Sequence, residues 1–263
     1  MSNLSRRRFA GLAAAFCPLC ATVEAAELTH GETSHPPGGP PHWSYEGDAA
    51  PANWGELSAD FKSCSIGMEQ TPIDLRSAIK AQTGPIAIGY QKMPLTIMNN
   101  GHTIQVNTPA GSKVEINGTG YELVQFHFHH PSEHVLAGKA FDMELHFVHK
   151  SASGALAVFG VFLRPGATNR ALAPIWAAIP EKETPVHTVA GVTIDPAALL
   201  PKVGEYFRYV GSLTTPPCSE GVTWTVFRTP IEGSVEQIRQ FATLFPMNAR
   251  PLQSLNRRFL LLS

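Results

Sequence analysis

Gln125-Phe126-His127-Phe128-His129, answered downstream by Glu144-Leu145-His146, decides how this chain is read. Side chains of an extended strand alternate between two faces. His127 and His129 therefore share one face, while Phe126 and Phe128 point the other way, into a core. Phe141-Asp142-Met143-Glu144-Leu145-His146-Phe147-Val148 alternates in the same manner. If the two strands lie side by side, three imidazoles converge on one point. Three neutral nitrogen ligands with an open fourth position describe a catalytic zinc site rather than a structural one.

Histidines also stand at 130, 134 and 149, and strand phase selects among them. His146 shares its face with Glu144 and Val148. His149 falls on the opposite face. His130 points away from His129 at a turn before Pro131, and His134 follows Glu133 at the start of the next segment. Gln125 and Glu144 each stand two residues before a ligand candidate and on its face. Each can accept the second ring N–H, which fixes the tautomer and makes the imidazole more basic.

Working outward, the chain has 263 residues, 43% hydrophobic and 16% charged, which suits one large domain with a real core. A formal net charge of -1 and a pI near 6.8 leave no basic footprint, so nucleic acid is not an expected partner. Ser5-Arg6-Arg7-Arg8-Phe9, an apolar run from Ala10 to Cys20 and Val23-Glu24-Ala25 have the layout of an export signal over residues 1–25. The adjacent arginines favour the twin-arginine route over an ordinary Sec signal. The apolar run is too short to remain as a membrane anchor. Periplasmic or secreted localisation follows. Residues 26–42, rich in Pro, Gly and His, read as a flexible leader, and residues 43–263 as the folded domain. Removing the signal leaves Cys64 and Cys218. An even pair in an exported protein reads as a disulfide.

From 85 to 124 short β-type runs alternate with turns: Ile86–Ile88, Leu95–Met98, Thr103–Val106 and Lys113–Ile116. Asn99-Asn100-Gly101 is a hairpin-turn signal. Leu156–Leu163 is apolar on both faces, as a central strand is. Tyr206–Val210 and Val222–Phe227 are further strands. Helices are expected at Asn169–Ile179 and from Ser234, an N-cap candidate, to Phe245. The sum is one mainly β domain with small peripheral helices.

Several stretches together resemble the α-class carbonic anhydrases, in their bacterial, exported form. They are His42-Trp43-Ser44-Tyr45, Gln70–Asp74, Asn99–His102, Gln125–His129, Ser132-Glu133-His134, Glu144–His149, Gly211–Pro217, Val222-Thr223-Trp224 and Asn248–Pro251. The resemblance spans about 43 to 258. It implies a large, twisted, mostly antiparallel sheet of about ten strands, with one Zn2+ at the bottom of a cleft. It also implies reversible hydration of CO2 to bicarbonate and a proton, carried out by zinc-bound hydroxide.

Residue roles follow from the same resemblance. His127, His129 and His146 match the zinc ligands. Thr214 matches a gatekeeper whose hydroxyl donates to Glu133. Val148, Val158, Leu213, Val222 and Trp224, with Thr214 and Thr215, match the substrate site. His102 matches a proton shuttle, with Tyr45, Asn100 and Gln105 lining its path. Asn248 is expected to offer its backbone carbonyl to His129, and Cys64–Cys218 to brace the gatekeeper loop. His134 and His149 read as structural. His130 and Gln105 depart from residues common in the family, and neither is a ligand. The small-molecule pair CO2/bicarbonate is the expected partner, and the bacterial members admit a homodimer. Two other functions compete: a non-catalytic binding domain of the same fold, and an esterase using the same zinc chemistry.

Overall fold

Alternation along the two histidine strands builds the centre of the molecule. The computed structural model describes residues 41–263. The expected export signal and nearly all of the leader lie outside the described residues. Thr119–His129 and Met143–Ser151 pair antiparallel, with His127 opposite His146 and Phe126 opposite Phe147. Phe126, Phe128, Leu145 and Phe147 are all 0% exposed and pack into one large apolar cluster on the far side of the sheet.

The sheet has twelve strands among the described residues, two of them only two residues long. Leu156–Pro165 lies next to Met143–Ser151 and pairs parallel with Glu220–Gly233. From Ala157 to Leu163 it is buried throughout, as expected of a central strand. Glu220–Gly233 pairs antiparallel with Tyr206–Ser212, and Leu261–Leu262 extends that edge. On the other side the order runs Thr119–His129, Ile104–Asn107, Met93–Asn99 and Thr184–Ile194. Most pairings are antiparallel. Met93–Asn99 and Ile104–Asn107 form the expected hairpin. Gly101 takes φ +83° in its turn, a conformation that side-chain-bearing residues rarely adopt.

Two elements depart from the sequence expectation. The helix expected at Asn169–Ile179 is reduced to Ala173–Trp176. Asn169 Oδ1 accepts from the backbone N–H of Ala171 and Leu172, so a local turn takes the place of the first helical turn. Thr184–Ile194 is a strand that the pattern does not announce. It lies at the sheet edge, is mostly exposed, and pairs with register shifts, so it carries no clean alternation. The helix Val235–Leu244 forms as expected, with Ser234 and Gln237 making a capping box. Ile238 and Phe241 face the core, whereas Val235 is exposed.

Cys64 and Cys218 form a disulfide across 154 residues. It belongs to a separate apolar cluster with Trp54 and Phe61, against which Trp43 and Tyr45 pack.

Candidate metal centre

His127, His129 and His146 each bring one ring nitrogen within 4.8 Å of the others. Which nitrogen faces inward is set by what holds the other. Gln125 Oε1 lies 2.8 Å from His127 Nδ1. The backbone carbonyl of Asn248 accepts from His129 Nδ1 at 2.7 Å. Glu144 Oε1 lies 2.9 Å from His146 Nε2. A carboxylate or carbonyl only accepts, so each of those ring nitrogens donates. The free lone pairs are then Nε2 of His127, Nε2 of His129 and Nδ1 of His146.

The site fits a metal by its own chemistry. His129 Nε2 is buried and has no hydrogen-bond partner among the described residues. Burying such an atom unpaired is costly, and a bound cation removes that cost. A second grouping, His134, Glu144 and His146, is equally close. Its atoms are already bonded to one another at 2.7 and 2.9 Å, so protons rather than an ion bridge them. Three neutral imidazoles suit zinc with one position open to substrate or solvent.

Burial pushes the pKa of His127 well below the imidazole range, with His129 and His146 adding repulsion. Burial also lowers His129, against the pull of Glu133. Both rings are therefore neutral near pH 7, the form that binds a metal. Burial pushes Glu144 up, but the imidazoles of His134 and His146 and their hydrogen bonds outweigh it, holding the carboxyl well below its usual range. Glu144 also accepts from the backbone N–H of His134 at 2.8 Å. His134 continues the chain to the Tyr209 hydroxyl at 2.7 Å. Gly160 stands opposite His146, and a Cβ there would come within 2.8 Å of Glu144 Oε1. Only glycine leaves room for that carboxylate.

Glu133 is 2% exposed. Its Oε1 accepts from the backbone N–H of Arg250 at 2.8 Å. The hydrogen bond expected from Thr214 is not made: Glu133 Oε2 has no partner among the described residues. That oxygen instead lies 3.6 Å from His129 Nε2 and 3.7 Å from His146 Nδ1. Both distances exceed a hydrogen bond, and both nitrogens carry lone pairs, so no proton joins Oε2 to either ring. Oε2 thus lies beside the metal-facing nitrogens with its lone pairs unclaimed.

Arg250 lies in the Asn248–Pro251 stretch, where the sequence pattern assigns it no role, and the fold makes it a positioning residue. Its guanidinium donates to Gln70 Oε1, to the Thr71 carbonyl and to the Cys64 carbonyl. Burial lowers its pKa to about 10, opposed by Glu133 and Tyr45. It ties Glu133 to the disulfide segment. On the other side of the bridge, Cys218 N–H donates to the Thr215 carbonyl at 2.9 Å, so the disulfide reaches the Thr214–Thr215 turn.

The apolar candidates come together. Val158, Val222 and Trp224 form the core of one cluster, with Val148 and Leu213 packed against it. The Trp224 ring lies 4.9 Å from that of His146. His102 stacks on Trp43 with centroids 3.7 Å apart, a contact no local pattern announces. Burial and then His42 lower its pKa, against Glu183. Asn100 Oδ1 accepts from the backbone of His102 and Thr103, so its side chain shapes the turn. Gln105 stands opposite His127 in the sheet and donates to Asn107. Burial, then Glu133, raises the Tyr45 pKa well above its ordinary value. Asn248 uses its side chain as well as its carbonyl: Nδ2 donates to the carbonyls of His102 and Phe128, and Oδ1 accepts from His130 N–H. That one residue joins the His102 turn to the ligand strand.

The family model for eukaryotic-type carbonic anhydrase matches residues 49–263. A carbonic anhydrase of Nostoc sp. is 48% identical over 225 residues, covering 84% of this chain and 85% of that protein. A carbonic anhydrase of Pectobacterium carotovorum is 45% identical, covering 84% of this chain and 90% of that one. The solved α-carbonic anhydrase of Thermovibrio ammonificans, in complex with the inhibitor sulfanilamide, superposes with a TM-score of 0.82 at 43% identity. It covers 85% of this chain and 100% of its own. With the family model spanning the sheet, the histidine trio and the disulfide alike, the chain belongs to the eukaryotic-type, or α, carbonic anhydrase family.

Proposed function

We propose that the protein is an exported zinc enzyme that interconverts CO2 and bicarbonate. The observation that carries this reading is the convergence of three oriented imidazoles beside an apolar wall. His127, His129 and His146 would hold one zinc ion. Zinc bound there supplies a Lewis acid that makes water nucleophilic near neutral pH, the role it has in carbonic anhydrases generally.

The protein's own residues do the rest. Gln125, Glu144 and the Asn248 carbonyl hold the three rings in the ligand tautomer. Val148, Val158, Leu213, Val222 and Trp224 offer a surface on which uncharged CO2 loses no hydrogen bonds. Thr214 is 5% exposed and stands on the loop braced by the disulfide. Its hydroxyl would donate to the unpartnered Oε2 of Glu133 during turnover, leaving its lone pair to orient the nucleophile. Thr215 shares that turn and would border the substrate. His102, lowered below the ordinary imidazole value, is neutral at pH 7 and can take up the released proton. Tyr45, Asn100 and Gln105 would border the proton's route.

Residues 1–25 would serve as the export signal, residues 26–42 as the leader, and residues 43–263 as the catalytic domain. The disulfide supports an oxidising compartment, the periplasm or beyond. No helix among the described residues is long and apolar enough to cross a membrane.

Stopped-flow CO2 hydration on the purified mature protein, with zinc content measured alongside, tests the reading. One zinc per chain is expected, with activity lost on chelation and restored by zinc. Full activity in metal-free protein would overturn it.

A further inference from the structure

Thr71 is 0% exposed, and every polar atom it has is in use. Its backbone N–H donates to Ser212 Oγ at 3.0 Å. Its carbonyl accepts from Arg250 Nη1 at 2.8 Å. Its Oγ1 accepts from the Ser212 N–H at 2.9 Å and lies 3.2 Å from the Tyr209 hydroxyl. A hydroxyl donates and accepts at once, so one atom can hold both neighbours.

Three supports of the histidine site meet at this residue. Its carbonyl holds Arg250, whose backbone N–H donates to Glu133 Oε1. Through Tyr209 it reaches His134 at 2.7 Å, then Glu144 at 2.7 Å, then His146 at 2.9 Å. Through Ser212 it reaches the Thr214 loop: Ser212 Oγ donates to the Leu213 carbonyl at 2.7 Å, and Thr214 follows in the chain. The sheet ladder alone does not set Ser212, because the register with Glu220–Gly233 shifts between Gly211 and Ser212. Room for the joint comes from Gly211, where a Cβ would overlap Thr71 Oγ1.

We infer that Thr71 is a positioning residue whose hydroxyl couples the orientation of the His146 ligand to the placement of the Thr214 loop. The inference rests on the proposed zinc site and adds to it a joint that touches neither metal nor substrate. Thr71→Val nearly keeps the shape and keeps both backbone hydrogen bonds. It leaves the Ser212 N–H unpaired and the Tyr209 hydroxyl one partner short. An unpaired buried donor is costly, so the strand end and the tyrosine shift to find other partners. Both limbs of the site then lose their fixed positions together.

The test compares zinc-loaded mature protein with Thr71→Val, Thr71→Ser and Tyr209→Phe. Zinc release to an excess of chelator and kcat/KM for CO2 hydration at high buffer are measured on folded protein. Thr71→Val should speed zinc release and lower kcat/KM, each by about threefold to tenfold, less than for a group bonded directly to a ligand. Thr71→Ser keeps the hydroxyl and should restore both values to near the parent's. Tyr209→Phe cuts only the histidine limb, so it should speed zinc release and lower kcat/KM less than Thr71→Val does. Parental zinc release and kcat/KM in Thr71→Val, with only a lower unfolding temperature, would reduce the residue to a stabilising contact and overturn the inference. Equal losses in Thr71→Ser and Thr71→Val would assign the effect to packing and overturn it too. If Thr71→Val does not fold, parental zinc release in Tyr209→Phe has the same consequence. A parent that binds zinc without hydrating CO2 would sink the proposed activity, and unchanged zinc release in the variants would still overturn this inference by itself.

Discussion

The two faces of the histidine strands carry opposite chemistry within the thickness of one sheet. On one face Phe126, Phe128 and Phe147 are 0% exposed among other apolar side chains. On the other, His127, His129 and His146 stand in a network of buried amide, carboxylate and hydroxyl groups. The polar face is almost fully satisfied, and the gaps at His129 Nε2 and Glu133 Oε2 both face the point where a cation would sit. Burial drives stability on one side. On the other, each burial is matched by a specific partner, and the residual mismatch is where chemistry can happen.

This division makes activity and stability separable. The largest expected effect is at a ligand: His129→Ala should lose zinc and bring CO2 hydration to the uncatalysed rate. Zinc content and stopped-flow rates check it, and retained zinc with full activity would break the comparison. Next, Phe126→Ala on the apolar face should cost about 3–5 kcal/mol in denaturant unfolding. Zinc per folded molecule should be little changed, and parallel loss of zinc would show that the faces are not independent.

His149 tests the division from the wrong side, since it lies on the apolar face. It is 0% exposed, with Nε2 2.6 Å from the Tyr90 hydroxyl and Nδ1 3.1 Å from the Ala157 carbonyl. Burial lowers its pKa from 6.5 to about 4, outweighing its backbone hydrogen bonds. The unfolded chain therefore binds this proton first. Stability from a neutral His149 is complete above about pH 6.5 and falls as the pH drops toward 4, by about 3 kcal/mol in all. Unfolding free energies at pH 7 and pH 4.5 should show a smaller acid loss in His149→Gln than in the parent. The smallest effects belong to the groups that orient the rings. Gln125→Ala and Glu144→Gln should each weaken zinc binding by about 10–100-fold, read by competition with a chelator. Unchanged affinity would mean that strand geometry alone orients the imidazoles.

Alternation is a local property, and what depended on it was readable. The phase of His127, His129 and His146, the placement of Gln125 and Glu144, the Asn100-Gly101 turn and the Ser234 cap all follow from spacing within a few residues. The unannounced features join distant parts of the chain. Arg250 reaches Cys64 across 186 positions, and Trp43, at the start of the domain, stacks on His102. Thr184–Ile194 was illegible because an exposed edge strand has no buried face to imprint on its sequence. The expected helix at Asn169 is shortened because Asn169 Oδ1 closes a turn onto the N–H groups of Ala171 and Leu172 before the helical segment begins.

By itself, then, the sequence determined which three histidines belong to one face, and the family its motifs resemble. Only the tertiary structure decided which ring nitrogen of each points inward, since that depends on acceptors such as the Asn248 carbonyl, 119 positions from His129. It also decided that Glu133 Oε2 lies beside the metal-facing nitrogens without a hydrogen bond from Thr214. The physical reason is one of range. Strand periodicity is written along the chain, whereas the satisfaction of a buried polar atom depends on whatever the fold brings to within about 3 Å of it.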